Sequence, residues 1–292
     1  VSAFDSVAAP DVAQPEAVAE RRGPNLSLVV GGVLVALVVA AALVSFVWTP
    51  YDPYFIGGGE RLAGSSAEHW MGTDRFGRDV FSRLLVGART TLFVGVVSVG
   101  LAAVVGTPLG ILMGMVSRRT RDVLTHANDL LLAFPALLLA IMFGAVFGAS
   151  TATAMVAIGI ATIPVFARIA RGATMQVMST EYVLAARAAG RRRIAVAGRH
   201  VLPNISSLLL VQASVSFAIA VLAEAALSFL GFGTVPPIPS WGRMLQEAQD
   251  VLAVAPMQVV WPGLGIAIAV LGFNLLGDGL RDRYDPRLAG HQ

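Results

Sequence analysis

Six long apolar runs, separated by shorter stretches in which charge, glycine and proline collect, set the pattern of this chain. They cover approximately residues 27–48, 88–116, 123–148, 152–170, 205–232 and 257–280. A bilayer hydrocarbon core about 30 Å thick takes roughly 20 apolar residues of helix, so each run predicts one membrane-spanning helix. The expected fold class is an all-α integral membrane protein. Before the first run, residues 1–26 carry Pro10, Pro15, Pro24 and scattered acids without apolar periodicity, and are expected to form a disordered tail. This tail is too long and too acidic for the leader of a secretory signal, so 27–48 reads as a retained helix.

Composition agrees with this class. Hydrophobic residues make up 56% of the 292, charged residues 13%, and mean hydropathy is +0.73. All 21 basic residues are arginine. Arg21 and Arg22 precede the first run, Arg118, Arg119 and Arg121 lie between the second and third, a cluster from Arg168 to Arg199 lies between the fourth and fifth, and Arg281, Arg283 and Arg287 follow the sixth. With six spans these all fall on one side, which the positive-inside rule makes cytoplasmic, with both termini there. The isoelectric point near 9.9 follows from this bias. The arginines therefore read as headgroup anchors and cytoplasmic determinants rather than as a nucleic-acid surface.

The same count bears on energy supply. A nucleotide-binding P-loop requires a lysine at G-x-x-x-x-G-K-[ST], and no lysine is present. If transport is ATP-driven, hydrolysis must then occur on another subunit. The absence of cysteine removes disulfides and thiolate metal sites. His69, His126, His200 and His291 are too dispersed for a metal-ligand spacing and read as structural or surface groups.

Between the fourth and fifth runs, segment 171–204 interrupts the apolar pattern, and within it Glu181 to Asn204 reads EYVLAARAAGRRRIAVAGRHVLPN. Ala185, Ala186, Ala188 and Ala189 predict a helix surface with little side-chain bulk, which another protein can approach closely. Gly190 either stops that helix or turns the chain. Arg191, Arg192 and Arg193 lead into a second short helical run, and Leu202-Pro203-Asn204 suits the start of a new helix.

Two further segments, 49–87 and 234–256, fall on the opposite, extracytoplasmic side. The first contains Met71-Gly72-Thr73-Asp74-Arg75-Phe76-Gly77-Arg78-Asp79, in which glycines permit tight turns and alternating Asp and Arg can pair locally. Val80 to Leu92 then reads as an amphipathic interfacial helix whose Arg83 and Arg89 snorkel to water. The second runs Pro236-Pro237-Ile238-Pro239-Ser240-Trp241-Gly242 into a short helix through Asp250, with Trp241 and Trp261 as interface aromatics. Within the spans, Gly106, Gly110 and Gly114 share one helix face and suit close packing. Pro108, Pro135 and Pro164 predict kinks, either as hinges or as ordinary features of spanning helices. Glu224 lies at membrane depth, where an ionised carboxylate costs roughly 2.5–3.5 kcal/mol. A partner for it is expected, an arginine or another subunit, with direct substrate contact as the alternative. Asn128, Asp129, Asn274 and Asp278 lie near the cytoplasmic interface. No set of these groups makes a catalytic arrangement.

Ala185-Ala186-x3-Gly190 followed by Leu202-Pro203 resembles the EAA loop through which ABC importer permeases couple to their ATPases. Leu184 and His200 depart from the general pattern. The longer string from Tyr182 to Gly190 with His200-Val201-Leu202-Pro203-Asn204 is similar instead to the dipeptide/oligopeptide/nickel branch, where those residues are normal. GTDRFGRDVFSRL in the first outer segment, the LAEAALSFLGFG string around Glu224, Pro-Ser-Trp-Gly at 239–242, Asn274 to Asp282 and Asp285-Pro286-Arg287 all resemble the C-type permease subunit of that branch. The likeness runs from about 69 to 288.

This resemblance implies a type I (MetI-like) importer permease, with one N-terminal helix at 27–48 before a five-helix core at 88–280 and a cytoplasmic tail at 281–292. It implies a coupling loop carried by Glu181, Tyr182, Ala185, Ala186, Arg187, Gly190, His200, Leu202 and Pro203. A binding-protein contact is expected at Gly72, Thr73, Asp74, Arg78, Asp79, Trp241 and Arg243, and intramembrane polar roles at Glu224, Asn274 and Asp278. Expected partners are a homologous B-type permease, one or two ATPase subunits that carry the ATP and Mg, a substrate-binding protein and membrane lipid. The chain itself is expected to hold no cofactor and to catalyse no reaction. Peptide is the favoured cargo, with glutathione or nickel as alternatives within the branch. An ion-coupled carrier and a non-transporting scaffold remain as other classes.

Overall fold

The structure, a computed structural model, describes residues 25–57 and 59–284. The predicted tail before residue 25, with Arg21 and Arg22, and the segment 285–292, with Asp285-Pro286-Arg287 and His291, lie outside the described residues. Ten α-helices make up the described chain: α1 Leu26–Val47, α2 Val80–Met115, α3 Arg118–Ala133, α4 Ala136–Phe147, α5 Thr151–Met178, α6 Glu181–Ala188, α7 Arg193–Val196, α8 Leu202–Phe229, α9 Trp241–Ala248 and α10 Met257–Tyr284. Five spans meet the length and apolarity needed to cross a membrane by themselves, and α3 with α4 adds a sixth when taken as one bent span.

That bent pair is a full break where Pro135 predicts a kink in the span at 123–148. The two helices meet at 77°, and the break falls at Phe134-Pro135. Proline disfavours helical backbone in the residue before it, and Phe134 is extended, with φ −78° and ψ 126°. At twelve residues, α4 is about 18 Å long, short of the hydrocarbon thickness by itself. Pro108 and Pro164, by contrast, lie inside the single helices α2 and α5.

The core is built on α2 against α5, the most extensive helix pair, and on α10 against α1 and α8. Gly106, Gly110 and Gly114 line the α2 face toward α5. A Cβ added at Gly110 would stand 2.3 Å from the Ala167 carbonyl oxygen, and one at Gly106 2.6 Å from that of Ile163. The two backbones therefore touch, as expected of small residues in a membrane interface. Val94, Ala102, Ala157, Phe166, Val221, Leu227 and Ala269 fill the centre. Where α1 begins, Asn25 caps it by accepting from Leu28 N at 3.1 Å, while its Nδ2 donates to Gly279 O near the end of α10, also at 3.1 Å. The first and last described helices thus start and finish on the same side.

α2 also departs from the expected pattern. Val80 to Leu92 is not a separate interfacial helix but the first part of one 36-residue helix. Arg83 does not snorkel: it is 2% exposed and takes part in internal ion pairs. Arg89 lies with its guanidinium 4.6 Å from the centre of the Phe46 ring on α1.

Candidate functional site

Two polar assemblies stand at opposite ends of the spanning helices. At the arginine-rich end, α6 follows α5 after a two-residue turn in which Ser179 N donates to Gln176 O and Thr180 N to Val177 O. α6 ends in a Schellman arrangement: Gly190 N donates to Arg187 O at 3.0 Å and Arg191 N to Ala186 O at 3.2 Å. Gly190 has φ +78°, and nothing lies within 4 Å of the Cβ it lacks. Glycine is thus required for its backbone angle, with no internal packing at stake. The two sequence alternatives merge, since the residue stops the helix and turns the chain.

After α7, residues Ala197–Val201 form a π turn in which Leu202 N donates to Ala197 O. Pro203, in the first turn of α8, explains the wide geometry, because its ring would clash with the carbonyl four residues back in a regular helix. Asn204 Nδ2 donates to His200 O at 2.6 Å, and the Tyr182 and His200 rings pack with centroids 5.9 Å apart. One side of the unit is apolar: Val183, Val196, Val201 and Ile205 are buried with Ile111 of α2 and Ala170 of α5. The other side, with Glu181, Tyr182, Ala185, Arg187 and Ala188 to Arg193, is exposed. Leu202 and Pro203 are also exposed, whereas Ala186 and His200 are partly covered. A small-residue surface is therefore carried between the end of α5 and the start of α8, anchored to the apolar cluster by Val183.

At the other end, the outer segments lock together. Asp74 Oδ1 accepts from Phe76 N at 2.8 Å and Arg78 N at 3.0 Å, closing a local turn. Its Oδ2 accepts from Arg78 Nε and Arg83 Nη1, both at 2.6 Å. Glu247 on α9 meets the same pair, its Oε2 accepting from Arg78 Nη2 at 2.7 Å and Arg83 Nη1 at 2.8 Å. Arg243 Nε adds a bond to Glu247 Oε1 at 3.2 Å. Burial alone would raise the Glu247 carboxyl, but Arg83, Arg78 and Arg243 outweigh it and hold the group below the usual carboxylate range.

The remaining outer residues support this lock. Asp79 caps α2 by accepting from Ser82 N and Ser82 Oγ, both at 2.7 Å, and lies 2.9 Å from His69 Nδ1. Thr73 is buried, its carbonyl accepting from Gln258 Nε2 at 2.8 Å. Gly72 has φ +74°, and an added Cβ would strike the Ala63 carbonyl. Trp241 donates from Nε1 to Leu84 O at 3.0 Å and lies against Gly87 and Gly265.

These placements correct two expectations. Trp241, expected at the membrane interface, is 3% exposed inside the chain. Gly72, Thr73, Asp74, Arg78, Asp79 and Trp241, expected on a contact surface, are buried, and Arg243 is half-buried. Glu247 and Arg83 were not singled out as site residues. The only local signal was Arg243 and Glu247 four apart on one predicted helix, and an arginine in an otherwise apolar helix.

Glu224 is fully buried between these two ends. Its Oε1 accepts from Ser228 Oγ at 2.7 Å and Thr234 Oγ1 at 3.2 Å, and its Oε2 from Thr91 Oγ1 at 3.3 Å. Hydroxyls of this same chain, rather than an arginine, are its partners among the described residues. Asn274 is half-buried and Asp278 exposed on α10. Asn128 donates from Nδ2 to Pro164 O at 3.2 Å, and Asp129 forms an exposed pair with Arg168. Among the described residues no cluster of His, Asp or Glu could hold a metal.

Residues 106–290 match the family model described as binding-protein-dependent transport system inner membrane component. The chain is similar to the dipeptide transport system permease protein DppC of Alkalihalophilus pseudofirmus, 43% identical over 228 residues, 78% of this chain and 75% of the relative. It is 41% identical to the glutathione transport system permease protein GsiD of Pectobacterium atrosepticum, over 89% of this chain and 87% of that one. The di/tripeptide transport system permease protein DppC of Pseudomonas aeruginosa is 40% identical, over 88% of each. Among solved structures, inward facing conformations of the MetNI methionine ABC transporter share the fold. One matches with a TM-score of 0.59 at 18% identity, over 70% of this chain and 97% of that one.

Proposed function

The chain belongs to the family of binding-protein-dependent transport system inner membrane components, and from that premise we propose that it is the permease subunit of an ATP-driven peptide importer. In this reading it forms half of the translocation pathway, and a homologous B-type permease forms the other half. ATP and Mg are held by separate ATPase subunits, one or two in kind, and an extracytoplasmic binding protein delivers the cargo. The arginine-rich end faces the cytoplasm, together with both ends of the described chain.

The observation that carries the proposal is the α6 unit. Its exposed alanine surface, closed by Gly190, is fixed through Val183, Val196, Val201 and Ile205 to the ends of α2 and α5 and continues into α8. A partner that pushes on α6 moves the spans with it, which is the mechanical requirement for coupling hydrolysis to alternating access. On the outer side, the Asp74–Arg78–Arg83–Glu247 lock gives segments 49–87 and 234–256 a fixed shape. The binding protein then meets the exposed positions around that lock, including Asp52, Glu60, Arg61, Glu68 and Asp250, while the buried members position them.

Uptake of a labelled dipeptide in vesicles reconstituted with the copurifying ATPase and binding protein tests this. Gly190→Trp is expected to abolish uptake while the chain still inserts and pairs with its permease partner, because an indole would block the close approach and its Cβ would strain a left-handed backbone. Arg192→Ala is expected to be mild. Normal uptake by Gly190→Trp refutes the coupling role. The similarity to GsiD favours glutathione as the second reading, and competition of dipeptide uptake by glutathione separates the two.

A further inference from the structure

A groove and a pocket at the arginine-rich end share Arg193 and Met115. The groove, about 370 Å³, runs along α2 past Thr107, Ile111 and Leu112 and is walled on the other side by Ile194, Gly198 and Leu202. The adjoining pocket, about 160 Å³, is formed by Arg187, Arg191 and Arg193 with Met115, Met178 and Val196. Among the described residues no carboxylate lies within ion-pair reach of any of these three arginines.

We propose that this combined site binds one anionic phospholipid of the adjacent leaflet, its phosphate among Arg187, Arg191 and Arg193 and an acyl chain in the α2 groove. Three guanidiniums without a carboxylate partner among the described residues line one pocket beside the ends of α2 and α5, a set of donors suited to a phosphate headgroup. From Met115 back to Thr107 the groove rises about 12 Å along the helix, into the apolar part of the bilayer. Only an apolar chain is stable there, and an acidic segment of a water-soluble partner is excluded from that length. Joining a cationic mouth to an apolar trough selects a molecule with both parts, and a free phosphate would leave the trough unused. The α7 helix and π turn are thereby seated on lipid on one side, while Glu181, Tyr182 and Ala185 of α6 remain exposed. The leaflet beside α6 supplies this lipid whichever way the chain is oriented, and its binding does not depend on transport.

The test is phospholipid retention by the full chain, purified and exchanged into nanodiscs of phosphatidylcholine doped with phosphatidylglycerol, and read by native mass spectrometry. Wild type is expected to retain one phosphatidylglycerol in preference to phosphatidylcholine. The triple variant Arg187→Gln, Arg191→Gln, Arg193→Gln should lower that retention by at least about tenfold, and these exposed side chains leave the core untouched. Gly198→Phe, which projects into open space at the groove, should lower it with all three arginines present. Equal retention of the two lipids by wild type overturns the proposal, as does unchanged retention in the triple variant. If phosphatidylglycerol is displaced by millimolar inorganic phosphate and unaffected by Gly198→Phe, the pocket is a bare anion site and the lipid assignment fails. Dipeptide uptake by the wild-type chain, measured separately, tests the permease reading independently of these lipid outcomes.

Discussion

Replacing Glu247 by glutamine should release the first outer segment from α9. The carboxylate is 8% exposed and accepts three guanidinium hydrogen bonds, from Arg78, Arg83 and Arg243. Glutamine keeps one acceptor but turns an NH2 toward a cation, leaving Arg78 and Arg83 with Asp74 alone and Arg243 with Gln246 Oε1. Breaking a buried ion pair from one side costs about 3–5 kcal/mol, equivalent to roughly a 150- to 4,000-fold change in a local opening equilibrium. Hydrogen exchange of the full chain in detergent reads this directly, because Asp74 N donates to Arg78 O, Gly77 N to Asp74 O and Val80 N to Gly72 O. Exchange at these amides should accelerate by that factor while amides in the middle of α5 do not change. Equal rates in variant and wild type would refute the lock, and acceleration throughout α5 would mean that the fold, not the loop, had been lost. The pH dependence follows from the direction of the Glu247 shift. A carboxyl held below its usual value stabilises the folded state fully above that usual value, about 4.3, and loses this contribution as pH falls through the lower folded value. Protection at 72–80 should therefore be flat from neutral pH to about 5 and decline only below about 4.

At Glu224, leucine should destabilise the chain by about 1–3 kcal/mol because Thr91, Ser228 and Thr234 lose their acceptor, whereas Glu224→Gln, which retains an acceptor oxygen, should stay within about 1 kcal/mol of wild type; thermal unfolding in detergent distinguishes them, and equal behaviour of the two variants contradicts the hydroxyl cradle. Gly110→Val should force α2 from α5, because a Cβ there would strike the Ala167 carbonyl oxygen, and lower the yield of folded chain in the membrane. Gly100→Ala on the same helix meets nothing within 4 Å and should be neutral, so equal yields for both would argue against the contact. Replacing Gly190 with asparagine, which tolerates a left-handed backbone, should preserve more dipeptide uptake than Gly190→Ala, and the reverse order would show that bulk rather than backbone angle governs this position.

Sequence determined the features whose physics is local. Apolar runs of spanning length placed the membrane helices, since a backbone in lipid must satisfy itself within one helix. Pro135 marked a possible break because proline acts on the residue just before it, and Gly190 with Pro203 marked the ends of the α6–α8 unit for comparable reasons of backbone geometry. The small residues at 106, 110 and 114 announced a close helix contact, although not that α5 would fill it. Tertiary structure decided what depends on distant partners. Arg83 looked free to snorkel until the fold brought it to Glu247, 164 residues away, and Glu224 found Thr91 across a separation of 133. An arginine chooses between water and a carboxylate according to which is within a few ångströms and how dry that place is, and neither distance nor dryness is written in its neighbours along the chain. That is why the outer motif is recognisable as a string while the burial of its residues is not, whereas the turns between α6 and α8, closed by their own backbone, are legible along the chain.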